Sequence, residues 1–228
     1  TTIELAVAPT PKLWANCGST GRISPNPSAM TKADAMRTQI SRGIFTLSGA
    51  ADTGMVFLDG VRVPKDRVLG KEGEGLRIAL STLDTGRISL AAGAVGLMQR
   101  ALDLSLAYAG ERKQFGKPIA QFQLVQEHLA AMKLDLEAAR LLTYRAAWKK
   151  VKGEPYTLEA SLAKLFASEA ANRVAYRAIQ VHGGYGFFEE YEVARLYRDA
   201  RILTLYEGTS EVQKLIIGAH LTGVRAFA

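Results

Sequence analysis

From about Gly75 onward, apolar residues return every three or four positions, the spacing of one face of an α-helix. The run Leu76–Arg112 keeps that period throughout, and its many Ala and Gly residues predict close packing against other helices. Pro118 separates it from a second periodic stretch at about 121–151, which Gly153 and Pro155 break. A third covers about 157–181 and stops at Gly183-Gly184. A short helix is predicted over 190–199, and a last one from Thr209 to about His220. Three long helices and two shorter ones predict a mainly α fold, an antiparallel up-down bundle.

Before Gly75 the texture differs. Five of the seven prolines lie in residues 1–70, and residues 1–45 hold no sustained period. Residues 54–64 (GMVFLDGVRVP) alternate and are rich in Val, which predicts a strand, a turn at Asp59-Gly60 and a second short strand. The expected organisation is a small β or irregular segment over 1–70, then a helical bundle domain over 71–228. No solenoid repeat or low-complexity tract interrupts it.

Composition narrows the class. A chain of 228 residues with 48% hydrophobic content suits one large domain or two small ones. The single cysteine, Cys17, precludes an internal disulfide and fits a reducing compartment. No apolar run nears the roughly 18 residues of a membrane helix, and no secretory leader opens the chain. The expected location is therefore the cytoplasm, or the mitochondrial matrix in a eukaryote. The net charge of +7 has two readings, a solvated basic surface or attraction to an anionic ligand such as a phosphorylated cofactor. Lys and Arg are scattered without a basic block or interleaved aromatics, which argues against nucleic acid.

Familiar chemistries are missing from the sequence. It has neither G-x-G-x-x-G after a strand nor a Walker A loop, and GKEGEG (70–75) reads as a flexible lead into a helix. His128, His182 and His220 lie far apart, without metal-ligand spacing, so no metal site is expected. No G-x-S-x-G elbow is present.

Four other segments carry candidate chemistry, each with a plainer alternative. In ERKQFGKPIAQFQ (111–123), Arg112 and Lys113 suit phosphate oxygens, and Gln114 and Gln123 suit a heterocycle or sugar. The alternative is an interhelical loop with solvated charges. QVHGGYGF (180–187) places three glycines where a helix ends, more than one cap needs; bare backbone there admits a flat or phosphorylated ligand. Asp84 and Arg87 share a helix face at i, i+3, which alone is a surface ion pair. In TLYEGTSEV (204–212), Thr209 or Ser210 is a good N-cap and Glu211 suits a first turn. That helix start needs no further acid, which leaves Glu207 as a helix-start charge or a candidate base.

Taken in order, VRVP, LG, GEG, TLD and R, then ERKQFGKPIAQFQ, QVHGGYGF, RDARI and YEGTSEVQ, resemble the acyl-CoA dehydrogenase family over about residues 52–223. The resemblance implies α,β-dehydrogenation of an acyl-CoA thioester to the trans-2-enoyl-CoA with FAD as cofactor. It implies that Glu207 is the base, with Gly208 letting the backbone pass close to the thioester. The Glu207 amide is expected to help bind the thioester oxygen. Asp84 and Arg87 look like contacts to the CoA portion. Arg112, Gln114 and Gln123 look like contacts to a neighbouring subunit's FAD, Gln180, Gly183 and Gly184 like its adenine side, and Thr209 and Glu211 like contacts to the subunit's own FAD. Such shared sites imply a homodimer or homotetramer, and the family suggests an electron-transfer flavoprotein as acceptor.

Residues 1–50 do not display the TEP…GSD or Trp-Ile-Thr/Ser segments that hold the flavin ring in this family. The resemblance is thus to the C-terminal helical domain and the end of the middle β domain. Three readings follow: a dehydrogenase, fragmentary or completed as a hetero-oligomer by a more complete subunit; a non-catalytic oligomerisation subunit or degenerate paralogue; and an acyl-CoA oxidase.

Overall fold

The computed structural model describes residues 61–225 and four short strands before them, Thr2–Glu4 (β1), Thr20–Arg22 (β2), Gln39–Arg42 (β3) and Gly54–Phe57 (β4). Arg62–Pro64 forms β5. Cys17 and the expected turn at Asp59-Gly60 lie outside the described residues. The chain divides into two compact units that meet in sequence between Ile78 and Ala79.

In the first unit β2, β3 and β4 form an antiparallel sheet, with Ile40 opposite Val56, and β1 pairs with β5, with Ile3 opposite Val63. The strands expected over 54–64 are both present, but not as a hairpin, because β4 pairs with β3 and β5 with β1. A three- or four-residue strand is stabilised by the side chains opposite it, and those are set by distant parts of the chain.

The second unit is helical: α1 (Gly75–Glu111, whose first turn belongs to the first unit), α2 (Gln123–Val151), α3 (Thr157–His182), α4 (Glu192–Ile202) and α5 (Ser210–Thr222). Cross-helix bonds fix the directions. Asp84 meets Thr157 near the start of both α1 and α3, and Tyr108 stacks on His182 at the far end of both, so these helices run parallel. Lys149 near the end of α2 meets Glu159 at the start of α3, while Asp135 earlier in α2 pairs with Arg173 and Arg177 late in α3, so α2 runs antiparallel to α3 and hence to α1.

Helix α3 is the centre. Ala160, Ala163, Ala167, Ala170, Ala171, Ala175 and Ala178 are all fully buried, together with Val174. A helix buried nearly all round needs small side chains on several faces, because neighbouring backbones approach from each side. Met98 and Ala101 of α1 and Met132 and Leu136 of α2 complete this core. The segment between α1 and α2 is more ordered than a plain interhelical loop. Lys113–Gln114 (β6) and Lys117–Pro118 (β7) pair across Phe115-Gly116, whose φ values of 52° and 79° give the two left-handed positions of a tight hairpin turn.

Candidate active site

Between α4 and α5 the chain makes a turn with two consecutive left-handed residues, Glu207 at φ 59° and Gly208 at φ 89°. The second suits glycine, while the first imposes about 1–2 kcal/mol of strain on a residue with a Cβ. The carboxylate rests on a notch in α1. A Cβ placed on Gly86 would come within 2.7 Å of Glu207 Cδ and 2.8 Å of Oε1. Glu207 Oε2 is buried and has no hydrogen-bond partner. Thr209 caps α5 by accepting a hydrogen bond from the Val212 N–H at 3.3 Å, and Glu211 lies in the first turn, its pKa lowered by backbone hydrogen bonding and by Thr209. The helix start is thus complete without Glu207.

Both carbonyls of the turn point inward onto donors from three helices. Arg87 Nε of α1 donates to Glu207 O at 3.4 Å, and Gln213 Nε2 of α5 donates to both carbonyls at 3.1 Å. Lys164 Nζ of α3 donates to Gly208 O at 2.7 Å. Among the described residues no hydrogen bond engages the Glu207 or Gly208 N–H. Arg87 also donates to Asp84 Oδ1 at 2.7 Å, and Asp84 Oδ2 accepts from the Thr157 hydroxyl at 2.6 Å. With the Arg87 side chain 6% exposed, this pair is no surface bridge. Arg87 reaches the turn through its bond to Glu207 O, one residue on from the glycine whose missing side chain makes room for the Glu207 carboxylate.

A second cluster forms at the other end of the bundle. Arg112, Gln114, Gln180, Gly183 and Gly184 line one cavity of about 390 Å³ together with Tyr108 and His182. The rings of Tyr108 and His182 stack at 4.3 Å, and the Arg112 guanidinium lies 5.5 Å from the Tyr185 ring centre. Burial lowers the pKa of His182, whose Nδ1 lies 2.8 Å from Ala178 O. The three glycines separate by role. Gly183 adopts φ 61° as the cap of α3, and Gly186 packs so tightly that a Cβ would meet His182 Cβ at 2.9 Å. Gly184 has neither constraint and borders open space. Gln123 stands apart, exposed at the start of α2 and outside the cavity lining. From Arg87 to Tyr108 is roughly 32 Å at 1.5 Å per residue along α1.

The sequence profile of the acyl-CoA dehydrogenase C-terminal domain matches residues 73–222, most of the chain. The chain belongs to the acyl-CoA dehydrogenase family. It is 51% identical over 171 residues to the probable acyl-CoA dehydrogenase YngJ of Bacillus subtilis, covering 75% of this chain and 45% of that protein. It is 47% identical over 169 residues to the caffeyl-CoA reductase–Etf complex subunit CarC of Acetobacterium woodii, covering 74% and 45%. The structure of butyryl-CoA dehydrogenase from Megasphaera elsdenii superposes with a TM-score of 0.76 at 41% identity, over 85% of this chain and 54% of that one. The chain therefore spans about half the length of the relatives it matches.

FAD, the flavin dinucleotide this acyl-CoA dehydrogenase family implies, is compatible with the residues present. The Tyr108–His182 wall, the Arg112 cation and the bare Gly184 edge suit a flat ring joined to an anionic linker. The partnerless Glu207 Oε2 is an acceptor for a group the fold itself does not supply. Sequence reasoning missed Gly86, Lys164 and Gln213, which build the Glu207 turn, and Tyr108, which walls the cavity. A buried lysine inside an Ala-rich helix has no local signal, whereas the Gly86 notch sat unnoticed between Asp84 and Arg87.

Proposed function

We propose that this chain supplies the base-bearing helical part of an FAD-dependent acyl-CoA dehydrogenase acting on a short-chain acyl-CoA, converting it to the trans-2-enoyl-CoA. In this reading residues 71–228 are the C-terminal helical domain and 1–70 the end of a middle β domain. One observation carries it: a carboxylate in a strained turn, with one oxygen buried and unpartnered, while the adjacent helix is already capped. Backbone strain of this kind persists where the surroundings enforce it, and it clusters at functional sites. A chain serving oligomerisation alone gains nothing from it.

Glu207 takes the proton from the α carbon of the thioester onto its carboxylate. FAD, when bound, supplies the hydride acceptor for the β carbon. Because Arg87, Gln213 and Lys164 hold the two carbonyls inward, the Glu207 N–H is left for the thioester oxygen, where developing negative charge is stabilised. The Asp84–Arg87 pair shapes the acyl-CoA site from beneath the turn. Glu207 can also return a proton when the reaction runs toward the saturated thioester, which accords with a reductase among the relatives.

The two clusters lie at opposite ends of the bundle, which supports a cofactor shared between copies. In the proposed assembly Arg112, Gln114, Gln180, Gly183 and Gly184 serve the FAD of a neighbouring subunit, with Gln123 at the edge of that interface. Thr209 and Glu211 serve the subunit's own FAD. An exposed apolar stripe on α2, Leu134, Leu141, Tyr144, Trp148 and Val151, supports a homodimer or homotetramer. An electron-transfer flavoprotein is the proposed acceptor, and the cytoplasm or, in a eukaryote, the mitochondrial matrix the proposed location. Glu207→Gln tests the reading: FAD stays bound while its reduction by acyl-CoA is lost.

A further inference from the structure

Lys164 is the largest fully buried side chain in the bundle. Lysines are almost never fully buried unless paired. Among the described residues this one makes no ion pair within 4.0 Å. It instead donates to a backbone carbonyl, Gly208 O, at 2.7 Å, and Ala160, Ala163 and Ala167 lie around it on α3. Packing alone would be met by methionine without the cost of desolvating a charge. The bond to Gly208 is the shortest of the four that hold the turn's carbonyls, the others being 3.1, 3.1 and 3.4 Å.

We propose that Lys164 is a positioning residue for Glu207: its buried ammonium draws the Gly208 carbonyl inward and keeps the left-handed turn that seats the carboxylate on Gly86. This rests on the reading of Glu207 as the base. Without the clamp, Glu207 relaxes toward an unstrained φ and its carboxylate leaves the notch. A pH response follows. Burial and the Arg87 guanidinium lower the Lys164 pKa from 10.5 to about 8, against the pull of Glu169 on the same helix, Glu207 in the turn and Glu211 on α5. A neutral amine donates a weaker hydrogen bond than an ammonium, so the turn is tightest below pH 8 and slackens above it.

The experiment has two arms. In the first, the backbone carbonyl carbon resonances of Glu207 and Gly208, which carry no exchangeable proton, are followed in the full isotope-labelled chain, without added flavin, from neutral pH to 10.5. They move together with a midpoint near 8, and Lys164→Met abolishes that movement. In the second, the FAD-loaded protein carrying Lys164→Met is reduced by acyl-CoA at least about tenfold more slowly, with KM little changed and no alkaline limb in the rate. Carbonyl resonances that stay fixed through this range in the unsubstituted chain overturn the proposal even if no variant folds. So does Lys164→Met reducing flavin at the parent rate while Glu207→Gln does not, which leaves the base assignment standing. If Glu207→Gln retains the parent rate, the base assignment falls instead, and the carbonyl titration alone then decides whether Lys164 holds the turn.

Discussion

Glu207 is held by its neighbours rather than by its own backbone preference. Its φ of 59° is unfavourable, and its carboxylate fits only because position 86 has no side chain. Gly86→Ala separates these effects. Alanine is the better helix former by about 1 kcal/mol, but its methyl group would collide with Glu207 Oε2. The fold should keep its thermal stability within a few degrees while flavin reduction by acyl-CoA falls at least about tenfold. Retained activity with a lowered melting temperature would show that the notch serves packing instead. Glu207 itself was legible as a candidate because a capped helix start made an extra acid superfluous. Its φ and the Lys164 clamp were not, since both depend on residues more than 40 positions away, as the contact between positions 164 and 208 illustrates.

The helices were legible nearly to the residue. The stretches expected at 76–112, 121–151 and 157–181 are Gly75–Glu111, Gln123–Val151 and Thr157–His182, because apolar period and Gly or Pro stops act locally. Strand pairing was not, because each three- or four-residue strand takes its partner from another region of the chain. The β6–β7 hairpin escaped notice because it spans only six residues, and its turn seats Phe115, not the usual Asn, at a left-handed position. The central place of α3 gives an element-scale prediction. Ala167 is fully buried, so Ala167→Leu should destabilise the bundle by about 1–3 kcal/mol through overpacking. Denaturant unfolding checks this, and an unchanged midpoint would mean that α3 is not enclosed as described.

Across the whole molecule, the two clusters at opposite ends of the bundle support the proposed assembly of copies. His182 supplies its pH signature. Burial lowers its pKa from the ordinary 6.5, so the folded chain resists a proton that the unfolded chain accepts. Stability contributed by its neutral form is present above pH 6.5 and is lost as pH falls below it. His182→Phe, which keeps a ring against Tyr108, should flatten the acid side of a melting-temperature profile. An unchanged acid slope would place the loss on other groups. The family and the helical fold follow from ordered motifs and period, whereas the proposed chemistry turns on one carboxylate. The most direct test is rapid-mixing absorbance of the FAD-loaded protein carrying Glu207→Gln. Flavin bands that persist after acyl-CoA is added, in a protein that still holds its FAD, are the predicted result. Bleaching at the parent rate would contradict Glu207 as the base.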